Sequence, residues 1–193
     1  MSSSTAKASV RNPHGAKQPH RRQSSKLPLS GKTAPSFTAA VLTVSDSCAC
    51  GERVDLSGPA VAATLKQSGF RIAATQTVPD DSIQIQHALT RLAAGARFVV
   101  TTGGTGIAPR DVTPEAALAV CERLLEGVAE RMRFAGAKKT PFAVLSRGVC
   151  GVRGTSLILN LPGSPKGAVE SLRAVLDLIP HALNLLDGKT EHS

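Results

Sequence analysis

The sequence of 193 residues contains no tryptophan and no tyrosine, and aromatic residues make up only 3% of it. A core must therefore come from alanine, valine, leucine and isoleucine, for which the hydrophobic fraction of 41% is sufficient. Proteins that bind single-stranded nucleic acid usually stack the bases on aromatic side chains. The shortage of aromatic residues weighs against that class of function.

The chain also lacks paired metal-ligand spacing and long apolar runs. Its four cysteines form no CxxC pair, so the sequence predicts free thiols in a reducing compartment rather than zinc ligands. No apolar run approaches the ~20 residues that a membrane-spanning helix needs, and the N-terminus shows no signal-peptide pattern. We therefore expect no membrane partner and a cytoplasmic location.

Acidic residues are absent from residues 1–35, which carry seven lysines or arginines and hold most of the net charge of +9. Such a segment cannot bury enough apolar surface to offset its ordering entropy, so we predict a disordered basic tail over 1–35. Two roles stay open for it, a solvated extension and an organellar transit peptide. Because the charge lies in the tail, nucleic-acid binding is not expected of the remaining domain, residues 36–190.

Beyond the tail, apolar runs alternate with helical patterns. Strands are predicted at Ala39–Val44, Phe70–Val78, Phe98–Thr102, Phe142–Leu145 and Ser156–Leu161. Helices are predicted from Ser57 to Gly69, from Asp81 or Ser82 to Gly95, over Thr113–Leu125, over Val128–Phe134 after a break at Gly127, and over Lys166–Leu186 with a kink at Pro180. This order predicts an α/β fold with three layers, α/β/α, around a mostly parallel sheet.

Polar residues and glycines follow the ends of the predicted strands. Asp46, Gly51, Asp55, Ser57 and Gly58 follow the first, Asp80 and Asp81 the second, and Gly103, Gly104, Thr105, Gly106, Arg110 and Asp111 the third. In parallel sheets, ligands bind beyond the carboxyl ends of the strands. If these strands are neighbours, their loops meet at one edge and form one site.

The glycine-rich loop after the third strand runs from Gly103 to Gly106. Residues without a Cβ let backbone N–H groups close on phosphate oxygens, although the loop lacks both the lysine of a P-loop and GxGxxG spacing. Phosphate binding and a plain tight turn both remain open. Thr113 is expected to cap the helix that follows, with Pro114 at the first helical position.

Two aspartates are candidate metal ligands. Asp80 and Asp111 could share Mg²⁺, because this ion takes one or two carboxylates together with substrate phosphates. In the alternative interpretation, Asp80 caps a helix and Asp111 pairs with Arg110. The residues alone leave both open.

Two further turns are candidate contacts for an anionic ligand. Ser146 and Arg147 follow a predicted strand and could reach an anion or form an ordinary surface turn. Pro162, Gly163 and Ser164 form a turn at another strand end, before the last helix. Their position makes a ligand contact one of two open interpretations.

Taken together, five segments of the chain resemble the MoaB/Mog family of molybdenum-cofactor biosynthesis, above all its adenylyltransferases. The segments occur in family order and are LTVSDSCACGERVDLSGP (42–59), VPDD (78–81), TTGGTGIAPRDVTPEA (101–116), LSRGVCGVRGTSLILNLPGSPKGA (145–168) and IPHALNLL (179–186). They are spread along the chain from residue 42 to residue 186. The first 35 residues match nothing in the family pattern.

The resemblance implies a molybdopterin-binding fold and transfer of AMP from ATP to the terminal phosphate of molybdopterin, with release of pyrophosphate. It implies that Asp80 and Asp111 are the catalytic aspartates and act with Mg²⁺. It places the nucleotide and pterin contacts at Asp46, Gly51, Asp55, Ser57, Gly58, Gly103, Gly104, Thr105, Gly106, Arg110, Ser146, Arg147, Pro162, Gly163 and Ser164. It further implies a homotrimer and a downstream molybdenum-insertion enzyme as partner; the alternative is a non-catalytic molybdopterin-binding protein of the same fold.

Overall fold

The computed structural model describes residues 37–189, so the predicted tail over 1–35 lies outside the described residues. The described residues form six strands: β1 (Thr38–Val44), β2 (Arg71–Val78), β3 (Phe98–Thr102), β4 (Arg123–Leu124), β5 (Cys150–Arg153) and β6 (Ser156–Leu161). They also form seven α-helices: α1 (Asp46–Ala49), α2 (Ser57–Gln67), α3 (Ser82–Gly95), α4 (Thr113–Val120), α5 (Glu126–Ala137), α6 (Pro165–Val175) and α7 (Ile179–Leu186). One 3-10 helix spans Pro141–Leu145. None of the helices in this part of the chain is long and apolar enough to span a bilayer.

The strands form one sheet in the order β2-β1-β3-β6-β5-β4. Strands β2, β1, β3 and β6 are parallel neighbours, whereas β5 and β4 extend the sheet by antiparallel pairing. The carboxyl ends of the four parallel strands therefore lie side by side at one edge. This arrangement confirms that the loops after the first three strands meet.

The core has one layer on each face of the sheet. On one face, β1, β3 and β6 pack against α2, α5, α6 and α7, and the largest buried side chains there include Phe98, Leu157 and Leu172. On the other face, α3 and α4 cover the same strands around Leu42, Ile85 and Leu89. The predicted three-layer α/β/α fold is confirmed, and its core is almost entirely aliphatic.

Three predicted boundaries were wrong. The helix expected over Thr113–Leu125 ends at Val120, because residues 123–124 pair with β5 instead. Gly127 does not break a helix but lies inside α5. The strand expected at Phe142–Leu145 is a 3-10 helix whose Phe142 is 75% exposed, so this apolar run does not belong to the core.

The last helix is interrupted rather than kinked. It is divided into α6 and α7 at residues 176–178, and Pro180 occupies the first turn of α7. A proline ring clashes with the carbonyl four residues earlier, here that of Leu176, which ends the preceding helix. The sequence-based prediction also missed β5, which returns to β6 through a turn at Gly154 with φ of +54°.

Candidate functional site

Two cavities open side by side at the carboxyl edge of the parallel strands. The first, here called the acidic cavity, has a volume of about 660 Å³ and is lined by Asp55, Asp80 and Asp111 among others. The second, the apolar cavity, has a volume of about 520 Å³ and is lined by Ile107, Phe142 and Leu145 among others. Their common wall consists of Gly104, Asp111, Gly163 and Ser164. The expected convergence of the strand-end loops thus produces a composite site.

Asp55 anchors the start of α2 to strand β1. Its Oδ1 accepts hydrogen bonds from the backbone N–H groups of Ser57 and Gly58, both at 3.0 Å, and from the Ser57 hydroxyl at 3.2 Å. Its Oδ2 accepts from the Thr43 hydroxyl at 2.6 Å. Because both oxygens have protein partners, Asp55 shapes the cavity wall rather than offering a free carboxylate to a ligand.

Asp46 and Asp80 fix each other across the ends of β1 and β2. The backbone N–H of Asp46 donates to Asp80 Oδ2 at 2.9 Å, and the backbone N–H of Asp80 donates to Asp46 Oδ1 at 3.0 Å. Arg110 donates to Asp46 Oδ2 through Nε at 3.1 Å and Nη2 at 2.5 Å. The structure therefore pairs Arg110 with Asp46 rather than with Asp111.

Asp81, not Asp80, caps α3 by accepting from the Gln84 N–H at 2.9 Å.

The pKa values of Asp46 and Asp80 are shifted in opposite directions. The hydrogen bond from Arg110 is the main reason that the pKa of Asp46 lies below its ordinary value. Loss of hydration raises the pKa of Asp80; the negative charges of Asp46 and Asp111 add to this effect, and the N–H of Asp46 and the positive charge of Arg110 oppose it without cancelling it. Asp80 thus carries a negative charge that the protein compensates poorly.

The glycine loop lies too close to its neighbours to carry side chains. At Gly103, with φ of +108°, a Cβ would lie 2.1 Å from the carbonyl oxygen of Val44. At Gly104, with φ of +61°, a Cβ would lie 2.5 Å from Thr113 Oγ1 and 3.1 Å from Asp80 Oδ1. Both positions require glycine, because a left-handed backbone and the lack of space exclude other residues. The loop is therefore a rigid wall beside Asp80.

Asp111 closes the other end of this loop. Its Oδ2 accepts from the Ala108 N–H at 2.7 Å and lies 2.8 Å from where a Cβ at Gly106 would be. Asp80 and Asp111 thus border the loop at Gly104 and Gly106 respectively. Both line the acidic cavity, and the charge of Asp111 reaches Asp80.

Arg147 lies behind the glycine loop and lines neither cavity. Its Nε donates to the carbonyl oxygen of Gly106 at 2.6 Å, and its backbone N–H donates to that of Thr105 at 2.9 Å. The guanidinium also contacts the carbonyl of Asp111 and forms an ion pair with Glu115. In this structure Arg147 supports the loop, whereas the residues alone left an anion contact and an ordinary surface turn both open.

The remaining expected residues divide between the two cavities and the surrounding loops. Ser57 lines the acidic cavity, and Ser164, which caps α6 by accepting from the Gly167 N–H at 3.2 Å, lines both cavities with Gly163. Thr105, Gly106, Ser146 and Pro162 line the apolar cavity only. Gly51, Gly58, Asp46 and Arg110 line neither cavity.

Sequence reasoning gave Thr113 a wrong role and missed Arg53. Thr113 does not cap α4: Val112 precedes the helix, and the Thr113 hydroxyl is buried without a hydrogen-bond partner among the described residues. Arg53 lines the acidic cavity. The only sequence signal for Arg53 was its place between Gly51 and Asp55, in the loop after the first strand.

The described residues contain no group of three or more histidine, cysteine or acidic side chains that could hold a metal ion. All four cysteines are free, as predicted. Burial raises the pKa of Cys121 to about 11 and that of Cys150 to about 12, so neither thiol forms a thiolate readily at neutral pH. A metal at this site would therefore rest on the two aspartates and on ligands from outside the protein.

Comparison with known proteins shows which family the chain is similar to. The sequence profile of the probable molybdopterin binding domain matches residues 40–181. A molybdopterin adenylyltransferase of Helicobacter pylori strain J99 is 41% identical over 152 residues, which cover 77% of this chain and 86% of the relative. The molybdenum cofactor synthesis protein cinnamon of Drosophila melanogaster is 41% identical over 157 residues, covering 78% of this chain and 26% of the relative. The chain thus spans about a quarter of that longer relative.

Solved structures give the same result. The molybdopterin biosynthesis enzyme MoaB of Thermus thermophilus is 52% identical, with a TM-score of 0.75, and the match covers 79% of this chain and 98% of that structure. The tungsten cofactor synthesizing protein MoaB of Pyrococcus furiosus is 33% identical, with a TM-score of 0.72, covering 81% and 99%. From the profile match, the relatives and the shared fold, we conclude that the chain belongs to the family of probable molybdopterin-binding domains.

Proposed function

We propose that this protein is a molybdopterin adenylyltransferase, which transfers AMP from ATP to the terminal phosphate of molybdopterin and releases pyrophosphate. The observation that carries the proposal is the pair Asp80 and Asp111, which borders a side-chain-free glycine loop in the wall between two cavities. The nucleotidyltransferase class is supported by similar proteins of Helicobacter pylori, Haemophilus influenzae and Escherichia coli, each named molybdopterin adenylyltransferase.

The two cavities suit two different parts of the substrates. We assign the triphosphate to the acidic cavity, where backbone N–H groups of the glycine loop can approach phosphate oxygens closely. The flat pterin ring fits the apolar cavity, beside Phe142 and Leu145. The phosphates of both substrates then meet at the common wall, next to Gly104 and Asp111.

The chemistry requires positioning and charge neutralisation more than a protein base. An oxygen of the molybdopterin phosphate attacks the α-phosphorus of ATP and forms a new P–O bond, while the bond from the α-phosphorus to the bridging oxygen breaks and pyrophosphate leaves. The attacking phosphate is already anionic at neutral pH, so no residue has to remove a proton. Catalysis then depends on holding the two phosphates in line within a rigid site.

Asp80 and Asp111 fit a magnesium ion that arrives with ATP. Asp80 Oδ1 and Asp111 Oδ1 accept no hydrogen bond within the described part of the chain, and the poorly compensated charge of Asp80 favours a cation beside it. Mg²⁺ commonly takes one or two carboxylates and completes its shell with phosphate oxygens and water. When bound, the ion would neutralise charge on the triphosphate.

Assembly and location are also proposals. We propose a homotrimer, consistent with apolar side chains such as Phe134, 68% exposed, and Val144, 60% exposed, on the described surface. We further propose that the product passes to a molybdenum-insertion enzyme. Free cysteines are usual in reducing compartments, which supports the cytoplasm as the location.

The proposal is tested by incubating the protein with molybdopterin, ATP and Mg²⁺ and assaying adenylylated product and pyrophosphate. We expect Asp111→Asn to abolish product formation and to leave molybdopterin binding intact, because the substitution removes a charge at the metal and keeps the size and shape of the side chain in the common wall. Asp177→Asn is the matched control, since Asp177 pairs with Arg131 on the surface away from the site. Equal turnover by the wild type and Asp111→Asn would contradict the catalytic role. Molybdopterin binding without turnover by the wild type would favour the non-catalytic alternative.

A further inference from the structure

The acidic cavity has an imbalance of charge in its wall. Three aspartates, Asp55, Asp80 and Asp111, line it, and Arg53 is the one basic residue among the described residues that does so. A nucleotide triphosphate is itself strongly anionic, so three nearby carboxylates repel it. Binding therefore needs positive charge beyond the N–H groups of the glycine loop, and a divalent cation supplies only part of it.

The other two arginines near the glycine loop are already occupied. Arg110 donates two hydrogen bonds to Asp46, and Arg147 is held by loop carbonyls and Glu115. Moving either guanidinium to a ligand would break these contacts. Arg53, in contrast, has no side-chain hydrogen bond or ion pair within the part of the chain that the structure describes.

The backbone holds Arg53 in place at the cavity, although its side chain has no partner among residues 37–189. The Arg53 N–H donates to the carbonyl of Ser47 at 2.9 Å, which ties the loop to α1. Two residues later, Asp55 is fixed by the Thr43 hydroxyl and the first turn of α2. The loop is thus anchored on both sides of Arg53. Ligand binding therefore has to order only the Arg53 side chain and not the backbone.

We propose that Arg53 binds the polyphosphate chain of the nucleotide in the acidic cavity; this inference rests on the proposed function. A guanidinium matches phosphate oxygens with paired N–H donors and stays charged at any physiological pH. The geometry makes Arg53 a substrate-binding residue, whereas Arg110 and Arg147 position the surrounding loops.

The test is calorimetric titration of the full chain with three probes: ATP with Mg²⁺, inorganic pyrophosphate with Mg²⁺, and molybdopterin alone. We expect Arg53→Gln to weaken ATP and pyrophosphate binding about tenfold, as for loss of one charge-assisted hydrogen bond at a solvent-accessible position. Molybdopterin binding should not change. The tenfold difference should shrink at high salt, because screening weakens exposed charge pairs.

Two variants serve as controls. Arg71→Gln removes the same charge at the start of β2, at the opposite edge of the sheet, and should bind all three probes like the wild type. Arg53→Lys keeps the charge but loses the paired donors, so its affinity for ATP should lie between those of the wild type and Arg53→Gln. Thermal unfolding of each variant checks that the fold is intact.

The possible failures can be told apart. If the wild type binds ATP, and Arg53→Gln binds ATP and pyrophosphate as tightly as the wild type does, the role of Arg53 is refuted and the proposed function stands. If Arg53→Gln weakens only molybdopterin binding, the assignment to the nucleotide is refuted. If the wild type does not bind ATP at all, the proposed function fails, and this inference fails with it.

Discussion

Replacing Gly103 by alanine tests whether the glycine loop is as tightly enclosed as the structure shows. The new Cβ would lie 2.1 Å from the carbonyl oxygen of Val44, where real Cβ contacts essentially never fall below 3.0 Å. The backbone or strand β1 would have to move by about 1 Å, a form of overpacking that costs about 1–3 kcal/mol. The φ of +108° adds strain of about 1–3 kcal/mol for any residue with a side chain.

Gly154→Ala separates these two contributions. Gly154 also has a positive φ, +54°, but a Cβ there would meet nothing within 4 Å. Its replacement should therefore cost only the backbone strain, about 1–2 kcal/mol for a left-handed residue. We expect Gly103→Ala to lose about 2 kcal/mol more than Gly154→Ala, a large share of the roughly 5–15 kcal/mol typical of a domain.

The measurement is urea unfolding followed by far-ultraviolet circular dichroism, since the chain has no tryptophan for fluorescence. Titration with ATP then shows whether the folded Gly103→Ala protein has lost nucleotide affinity while Gly154→Ala has kept it. Equal losses of stability in the two variants would show that Val44 does not confine Gly103, and would refute the close packing of the loop against β1.

Two further predictions concern buried or poorly compensated polar groups. Thr113→Val should raise the free energy of unfolding, measured in urea, by about 1 kcal/mol, because it removes a buried hydroxyl without a partner among the described residues. If the free energy of unfolding instead fell by a similar amount, the hydroxyl would be bonded to water in solution. Asp80→Asn should stabilise the protein at neutral pH, because loss of hydration raises the pKa of the native carboxyl. The folded state then binds this proton more tightly than the unfolded state. The ionised Asp80 therefore lowers the free energy of unfolding as the pH rises above 3.8, and this effect vanishes below it. Urea unfolding at pH 7 and in acid measures this, and an advantage of the variant that persists unchanged in acid would contradict it.

The strands that build the site could be predicted because their signal is local. Runs such as 39–44 and 98–102 are buried on both faces and are therefore apolar throughout most of their length. It could also be predicted that Asp80 and Asp111 lie at the same edge of the sheet, because both follow strand ends and parallel strands present their carboxyl ends at one edge. The antiparallel strand β5 could not be predicted in this way. It is short, contains a glycine and an arginine, and pairs with β6 through a turn at Gly154.

Local sequence pattern was enough to establish the layered α/β fold, the strand-end position of the polar residues and the glycines of the loop. The pairing of charges, in contrast, became visible only in the folded chain. Arg110 lies beside Asp111 in the chain yet binds Asp46, 64 residues away, and Arg147 supports the loop from behind. Partner choice depends on distances in space among several carboxylates and carbonyls, which sequence proximity does not fix. For the same reason, it took the tertiary structure to show that Arg53 is left unpaired beside the acidic cavity within the described residues.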